Sequence, residues 1–441
     1  MTSQRSRAPK REILGWAMFD FANQAYTLLI ITVIFGDLFT RVIVGDGPDF
    51  RLGNLLWSLA LALSYLLVVL CAPVAGALAD GSGRRKQFLF VSYLLCVGTT
   101  ALLYFVVPGW IVLGMALLVI SNFAYAMGEV MIASFLPGLG PPEDLGRISG
   151  FGWSLGYVGG MVSAVFVLLF LGAVSLENFE RIRWVGPFAA VFFLLAAIPT
   201  FIWVREPPAA PVLAGAHGSL QAGVERVRRT LSELEDHRDL VVLLLSVFFT
   251  MSGIAIIITF SFIYGAQVIG WDDGVRTLMF VVVQITAAVG ALGFGALADR
   301  IGAVRTYRIT LLLWMVTIGL IWGTPFLVDL LARYAGIHWQ AQHVFLVVGC
   351  ASGLSLGSSQ SATRTLVGLF SPLARSAEFF GFWGLAMRLA GVFGLLAIGV
   401  LQALLGLHMA ILFCLLLFAV AWGIAARIDE GRGRRAAEAF R

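Results

Sequence analysis

The sequence predicts an all-α integral membrane protein whose twelve transmembrane helices form two pseudo-symmetric six-helix bundles. Three observations carry this expectation. Of 441 residues, 59% are hydrophobic and only 12% charged, against roughly a quarter charged in an average soluble domain. Apolar runs recur along the whole chain, each near the ~20 residues that a helix needs to cross a bilayer. A short motif in the first half returns in the second, which points to a duplicated unit.

The runs place spans at about 13–40, 54–79, 87–107, 110–136, 148–173, 184–204, 240–267, 275–298, 306–328, 343–369, 377–405 and 408–427. The first is too long and too polar for a cleaved signal peptide. An even number of spans puts both termini on one side. With that side cytoplasmic, its segments collect 23 Lys and Arg, the opposite side holds six, and Arg388 lies within a span. This imbalance follows the positive-inside rule. It predicts a multi-pass protein of the inner membrane with both termini cytoplasmic. The net charge of +5 thus reports topology, and no nucleic-acid partner is expected. The four cysteines, Cys71, Cys96, Cys350 and Cys414, all fall in apolar runs, where they pack as small hydrophobes. No metal spacing, phosphate loop or nucleophile with an adjacent base is present, so neither a cofactor nor an enzymatic activity is expected.

Gly76-Ala-Leu-Ala-Asp80 closes the second span, and Gly295-Ala-Leu-Ala-Asp299 closes the eighth, 219 positions later. A second echo, at an offset of 231, relates Pro141 to Pro372 and Gly150-Phe151 to Gly381-Phe382. A six-span unit repeated in the same orientation is a known transporter layout. The chain accordingly divides into bundles at 1–204 and 240–428, a linker at 205–239 and a basic tail at 429–441. The linker is too short to fold as a catalytic domain. Its Leu220, Val224, Val227, Leu231 and Leu234 form one apolar stripe after Ser219, a candidate N-cap. We expect an amphipathic helix on the cytoplasmic face, with a solvated linker as the alternative.

The loop after each repeated segment resembles the signature of the major facilitator superfamily, G-x-x-x-D-(R/K)-x-G-(R/K)-(R/K). The first copy runs through Gly76, Asp80, Gly83, Arg84 and Arg85, with Gly81 where a cation is usual. The second has Gly295, Asp299, Arg300 and Gly302, and keeps only Arg305 of the trailing cations. The aspartate can face the positive end of a neighbouring helix while the cations hold the lipid–water boundary. Gating is therefore the expected role of these loops, together with Arg147. A narrower resemblance is carried by three segments. These are Trp16 to Tyr26 (WAMFDFANQAY), Leu136-Pro137 with Arg147 to Gly160, and Gln360 to Arg364 with Ala377 to Gly381. They are similar to the fungal autophagy-related vacuolar amino-acid effluxers and their bacterial relatives, the unknown major facilitator family. The position matching Arg388 is more often lysine there. The resemblance implies a secondary transporter in which spans 1, 4, 7 and 10 line a central cavity, and a monomer is expected. It points to a small-molecule substrate that is an amino acid by analogy; the two six-helix halves predict alternating access, and buried acids make protons the expected coupling ion. A peptide, a sugar, a lysolipid or a non-transporting sensor of the same fold remain alternatives.

Polar groups inside the spans mark the expected pathway, because an intramembrane charge is costly and faces the bundle interior or a wet cavity. Asp20, Asn23, Gln24 and Thr27 lie at i, i+3, i+4 and i+7 on span 1, sharing one α-helical face. Span 4 offers Asn122, Tyr125 and Glu129. Span 10 offers Ser352, Ser355, Ser359 and Thr363, with Gln360 and Arg364 beside them, and span 11 carries Arg388. The acids Asp20 and Glu129 are expected to pair with Arg388 in one state of the cycle, with a static ion pair as the alternative. Burial raises a carboxyl pKa, so Asp20, then Glu129, is the expected proton carrier. Glu378 is expected to cap span 11, and His408 to pack. The glycines of spans 5 and 11 are expected to allow close helix approach.

Overall fold

The computed structural model describes residues 6–45, 50–172, 174–207, 223–225, 227–228, 237–336 and 338–439. Among the described residues, twelve helices are long and apolar enough to cross a membrane. They are α1 (Lys10–Val44), α2 (Arg51–Ser82), α3 (Arg85–Phe105), α4 (Ile111–Gly138), α5 (Pro142–Val167), α6 (Phe179–Trp203), α7 (Arg238–Ile269), α8 (Gly274–Ile301), α9 (Ala303–Trp322), α10 (Ala341–Phe370), α11 (Leu373–Leu405) and α12 (Leu407–Ala425). A short helix, α13 (Glu430–Ala439), follows. No strand occurs among the described residues. In the linker, residues 223–225 and 227–228 are helical, with Val224 exposed. Ser219, Leu220, Leu231 and Leu234 of the expected stripe lie outside the described residues.

Glycines end the helices where the chain must turn. Gly83 (φ +64°) stops α2, and its N–H and that of Arg84 donate to the carbonyls of Asp80 and Ala79. Gly302 (φ +99°) separates α8 from α9. A left-handed residue satisfies the orphan carbonyls of a helix end, and glycine adopts it without strain. α1 is less regular than its hydropathy suggests. It is α-helical over Lys10–Ala25, wound as a π-helix over Tyr26–Val33, briefly α-helical at Phe35–Leu38 and again π-helical at Phe39–Val44.

The chain forms two compact units: Met1–Leu139, Leu155–Leu231 and Leu373–Leu385 in the first, Gly140–Ser154, Ser232–Pro372 and Ala386–Arg441 in the second. They differ from the sequence repeats by an exchange. The opening of α5 belongs with the second unit and the opening of α11 with the first. In the first unit, a Cβ on Gly76 would lie 2.2 Å from the Ala377 carbonyl, and one on Gly381 2.7 Å from the Ala72 carbonyl. In the second unit, a Cβ on Gly295 would lie 2.5 Å from the Gly146 carbonyl, and one on Gly150 2.3 Å from the Ala291 carbonyl. The residues correspond through the same offsets, 219 for α2 and α8 and 231 for the helix they meet.

A further repeated contact closes each unit. In the first, Glu12 accepts the Arg205 N–H at 3.0 Å and Glu206 accepts the Lys86 N–H at 2.9 Å. Burial pushes the Glu206 carboxyl up, against the Lys86 N–H that draws it down. In the second, Asp239 accepts the Asp429 N–H at 2.8 Å and Glu430 accepts the Val304 N–H at 3.0 Å. Arg432 adds two bonds to Asp239, of 2.5 and 2.7 Å, and Gly433 packs against the Phe370 ring. The basic tail is therefore an ordered helix clipped to α7, α9 and α10. Asp239→Ala is expected to loosen it by about 1–2 kcal/mol, the net worth of a charge-assisted pair reduced for its exposed arginine. Trypsin cleavage within 432–435 should then quicken about tenfold, the equivalent of ~1.4 kcal/mol. Unchanged cleavage would show that the clip contributes nothing.

Candidate functional site

The polar face of α1 is built between two aromatic anchors. The Trp16 indole N–H donates to the Ile132 carbonyl of α4 at 2.7 Å. Ten residues on, the Tyr26 hydroxyl bonds Ser121 at 2.8 Å, and its ring stacks on Tyr125 with centroids 5.0 Å apart. These contacts hold α1 to α4 on both sides of the stripe. Small residues bring α5 close on another side: a Cβ on Gly159 would meet the Phe21 carbonyl at 2.1 Å, and one on Gly156 the Gln24 side chain at 3.4 Å. Gln24 thus rests half-buried against α5.

Asp20 is 7% and Asn23 2% exposed. Among the described residues, the Asn23 Oδ1 and the Thr27 Oγ1 are buried with no hydrogen-bond partner. Such atoms are rare in folded proteins and point to an absent partner or a functional constraint. Thr27 sits one residue inside the π-helical stretch, where the Thr32 hydroxyl reaches back to the Thr27 carbonyl at 2.9 Å. The α-helical spacing that joins Thr27 to the stripe therefore ends at Tyr26. Single-turn π segments occur frequently at functional sites.

The other expected pathway residues fall into two groups. Asn122 donates to Ser64 of α2 at 2.6 Å, deep in the first unit. Glu129, in the same unit, is half-buried. In the second unit, Ser359 accepts the Trp314 indole N–H at 2.9 Å, and Ser355 meets Thr317 at 3.2 Å. The serine face of α10 is thereby joined to α9. Thr363 bonds back to the Ser359 carbonyl at 2.9 Å. Arg364 is buried at the opening of α5, with bonds to the Ser149 carbonyl at 2.8 Å and hydroxyl at 3.2 Å, and lies over the Trp153 ring. Gln360 and Arg388 are half-buried. Ser64, Ser121 and Trp314, which complete these contacts, are not among the residues expected on the pathway. Isolated polar residues in apolar runs, as in LALSYLL, are the signal that marks them. His408 packs, as expected, stacked on Trp322 with its Nδ1 at 2.8 Å from the Tyr264 hydroxyl.

The motif aspartates both cap helices. Asp80 accepts the N–H groups of Ala377 (3.2 Å) and Glu378 (2.9 Å) at the opening of α11. Asp299 accepts those of Gly146 (2.8 Å) and Arg147 (3.0 Å) at the opening of α5. A carboxylate there satisfies orphan donors and faces the positive end of the helix. The two caps differ in their cations. Arg85 ion-pairs with Asp80 with only 3% of its side chain exposed, and also donates to the Leu373 carbonyl. Beside it Glu378 takes a two-bond grip from buried Arg375. At Asp299 the cation is Arg147 from the capped helix itself, 3.5 Å away and 48% exposed. Arg84 and Arg300 are exposed at the ends of their loops.

Residues 56–438 match the family described as vacuole effluxer Atg22 like. The MFS-type transporter YxiO of Bacillus subtilis is 23% identical over 430 residues, covering 94% of both chains. Autophagy-related protein 22-1 of Penicillium rubens is 20% identical, over 86% of this chain and 76% of its own. Among solved structures, the proton:xylose symporter XylE shares the fold with a TM-score of 0.72 at 13% identity, over 97% of this chain and 98% of that one. The transporter FucP, in its outward conformation, matches at 0.68 and 17%, over 94% and 98%. Duplicated helix caps on a twelve-span frame, with a match over most of the chain, place it plainly: the protein belongs to the Atg22-like effluxer family of the major facilitator superfamily and is a secondary transporter, not an enzyme.

Proposed function

We propose that the transported solute is an amino acid, held in part by α1, and that Asp20 carries a coupling proton. One observation carries the reading: the Asn23 Oδ1 and the Thr27 Oγ1 are buried without partners on the helix that also buries Asp20. An unsatisfied buried polar group costs about 1–3 kcal/mol, a cost removed when a ligand supplies the donor. An amide oxygen and a hydroxyl oxygen accept from an ammonium group, which has donors only. The capping carboxylates Asp80 and Asp299, with Gly76, Gly83, Arg84, Arg85, Arg147, Gly295, Arg300 and Gly302 around them, are the releasable contacts that alternating access requires. The charge pattern favours an inner-membrane protein with cytoplasmic termini. One chain holds both repeats, so a monomer suffices.

Counterflow tests the reading. Liposomes containing the protein would be loaded with unlabelled amino acids, and the entry of labelled leucine, tyrosine and glutamate followed. Transient accumulation of label is the expected result for wild type. Asp20→Asn should still exchange, because exchange needs no proton gradient, yet fail to accumulate label under an imposed pH gradient. No accumulation of any amino acid by folded protein would overturn the substrate, leaving peptides, sugars and lysolipids. Gradient-driven uptake by Asp20→Asn would move the proton elsewhere, first to Glu129.

A further inference from the structure

Arg308 lies five residues beyond Ala303, the first residue of α9, and so about 8 Å along the helix at 1.5 Å per residue. Its guanidinium carbon is 4.9 Å from the centroid of the Trp422 ring near the end of α12. Both helices belong to the second unit. Among the described residues, Arg308 meets no carboxylate and donates no hydrogen bond. The Trp422 Nε1, buried beside it, has no hydrogen-bond partner either. Among the described residues, two groups that can only donate thus stand together without an acceptor.

Their surroundings identify the missing one. Ile309 and Leu312 next to Arg308, and Leu416 two turns before the end of α12, are exposed large apolar side chains. On membrane-spanning helices, such a face meets lipid. Arg427, exposed, follows at the same end of α12 and meets no acid among the described residues. An arginine so close to hydrocarbon with no counter-charge is unfavourable. Lipid headgroups supply acceptor oxygens at the ends of membrane-spanning helices. A guanidinium matches a phosphate with its planar fork, and tryptophan favours the headgroup level.

We propose that Arg308, held over the Trp422 ring, binds the phosphate of an anionic phospholipid in the groove between α9 and α12. The site stands independently of the substrate assignment. Full-length protein in neutral detergent would be mixed with phosphatidylglycerol or phosphatidylcholine, and the retained lipid counted by native mass spectrometry. Wild type should retain phosphatidylglycerol in preference, and show a raised Tm in its presence. Arg308→Gln should bind it about fivefold more weakly, the equivalent of ~1 kcal/mol for one interfacial arginine. Trp422→Phe keeps an aromatic ring under the guanidinium, though one that holds a cation less well than indole, so it should give a smaller loss with folding intact. Arg333→Gln, outside this groove, should change nothing. Equal retention by wild type, Arg308→Gln and Trp422→Phe would overturn the site. Inorganic phosphate that raised Tm as much as the lipid would assign the site to a free anion and overturn the lipid.

Discussion

Asp80→Asn is expected to free the opening of α11, and to do so far more strongly than Asp299→Asn frees the opening of α5. Asp80 is 1% exposed and holds two helix N–H groups while balancing Arg85, itself 2% exposed. The asparagine keeps one acceptor oxygen but removes the charge. Arg85, whose Nη1 already lacks a partner, is then a buried cation without its carboxylate. Breaking one side of a buried pair costs about 3–5 kcal/mol. Asp299 faces a half-exposed Arg147 at 3.5 Å, a pair worth about 0–1 kcal/mol. Its asparagine variant loses mainly one charge-assisted cap, about 1 kcal/mol. Hydrogen exchange separates the two. Amides of the 376–385 segment should exchange roughly two to three orders of magnitude faster in Asp80→Asn, with a tenfold change or less around 145–154 in Asp299→Asn. Equal acceleration at both places would remove the distinction between a dry cap and a wet one.

Gly76→Ala should displace the same helix opening by a steric route. The added Cβ would fall 2.2 Å from the Ala377 carbonyl oxygen and 2.8 Å from the Glu378 Cα. Both are backbone atoms, so no side chain can swing away and the helices must separate. Overpacking of this kind costs about 1–3 kcal/mol, and the carboxylate–amide bonds a turn away stretch with it. Gly295→Ala, with its Cβ 2.5 Å from the Gly146 carbonyl, should act likewise in the second unit. Gly98 and Gly391 have nothing within 4 Å of a built Cβ, and alanine there should be neutral or stabilise by up to about 1 kcal/mol through helix propensity. Tm and exchange rate of the purified variants report the contrast. If Gly76→Ala matched Gly98→Ala in both, the close approach would carry no energetic weight.

The twelve spans, the duplication and the capping aspartates were legible in the sequence. Hydropathy is a sum over consecutive residues, and a repeated motif at a constant offset needs no knowledge of what it touches. The offsets of 219 and 231 went further, since they pair the very residues that meet at each cap. Spacing also placed Asp20, Asn23 and Gln24 on one face of α1, because a helical period is a local property. It failed one residue later, since an apolar run such as LLIITV reads the same whether wound as α- or π-helix.

Only the tertiary structure decided which polar groups are already satisfied. Ser355 and Ser359 have the sequence character of a pathway face, yet they bond to Thr317 and Trp314 of α9. Asn122 meets Ser64, and Arg364 clasps Ser149. Asn23 and Thr27, of the same polar kind, are left with open valences. The two capping aspartates look alike in sequence, and their difference lies in Arg85 turning inward while Arg147 stays wet. Each outcome depends on the rotation and register of helices distant in sequence. Those are set by the fit of many side chains and glycine gaps at once, which no local pattern encodes.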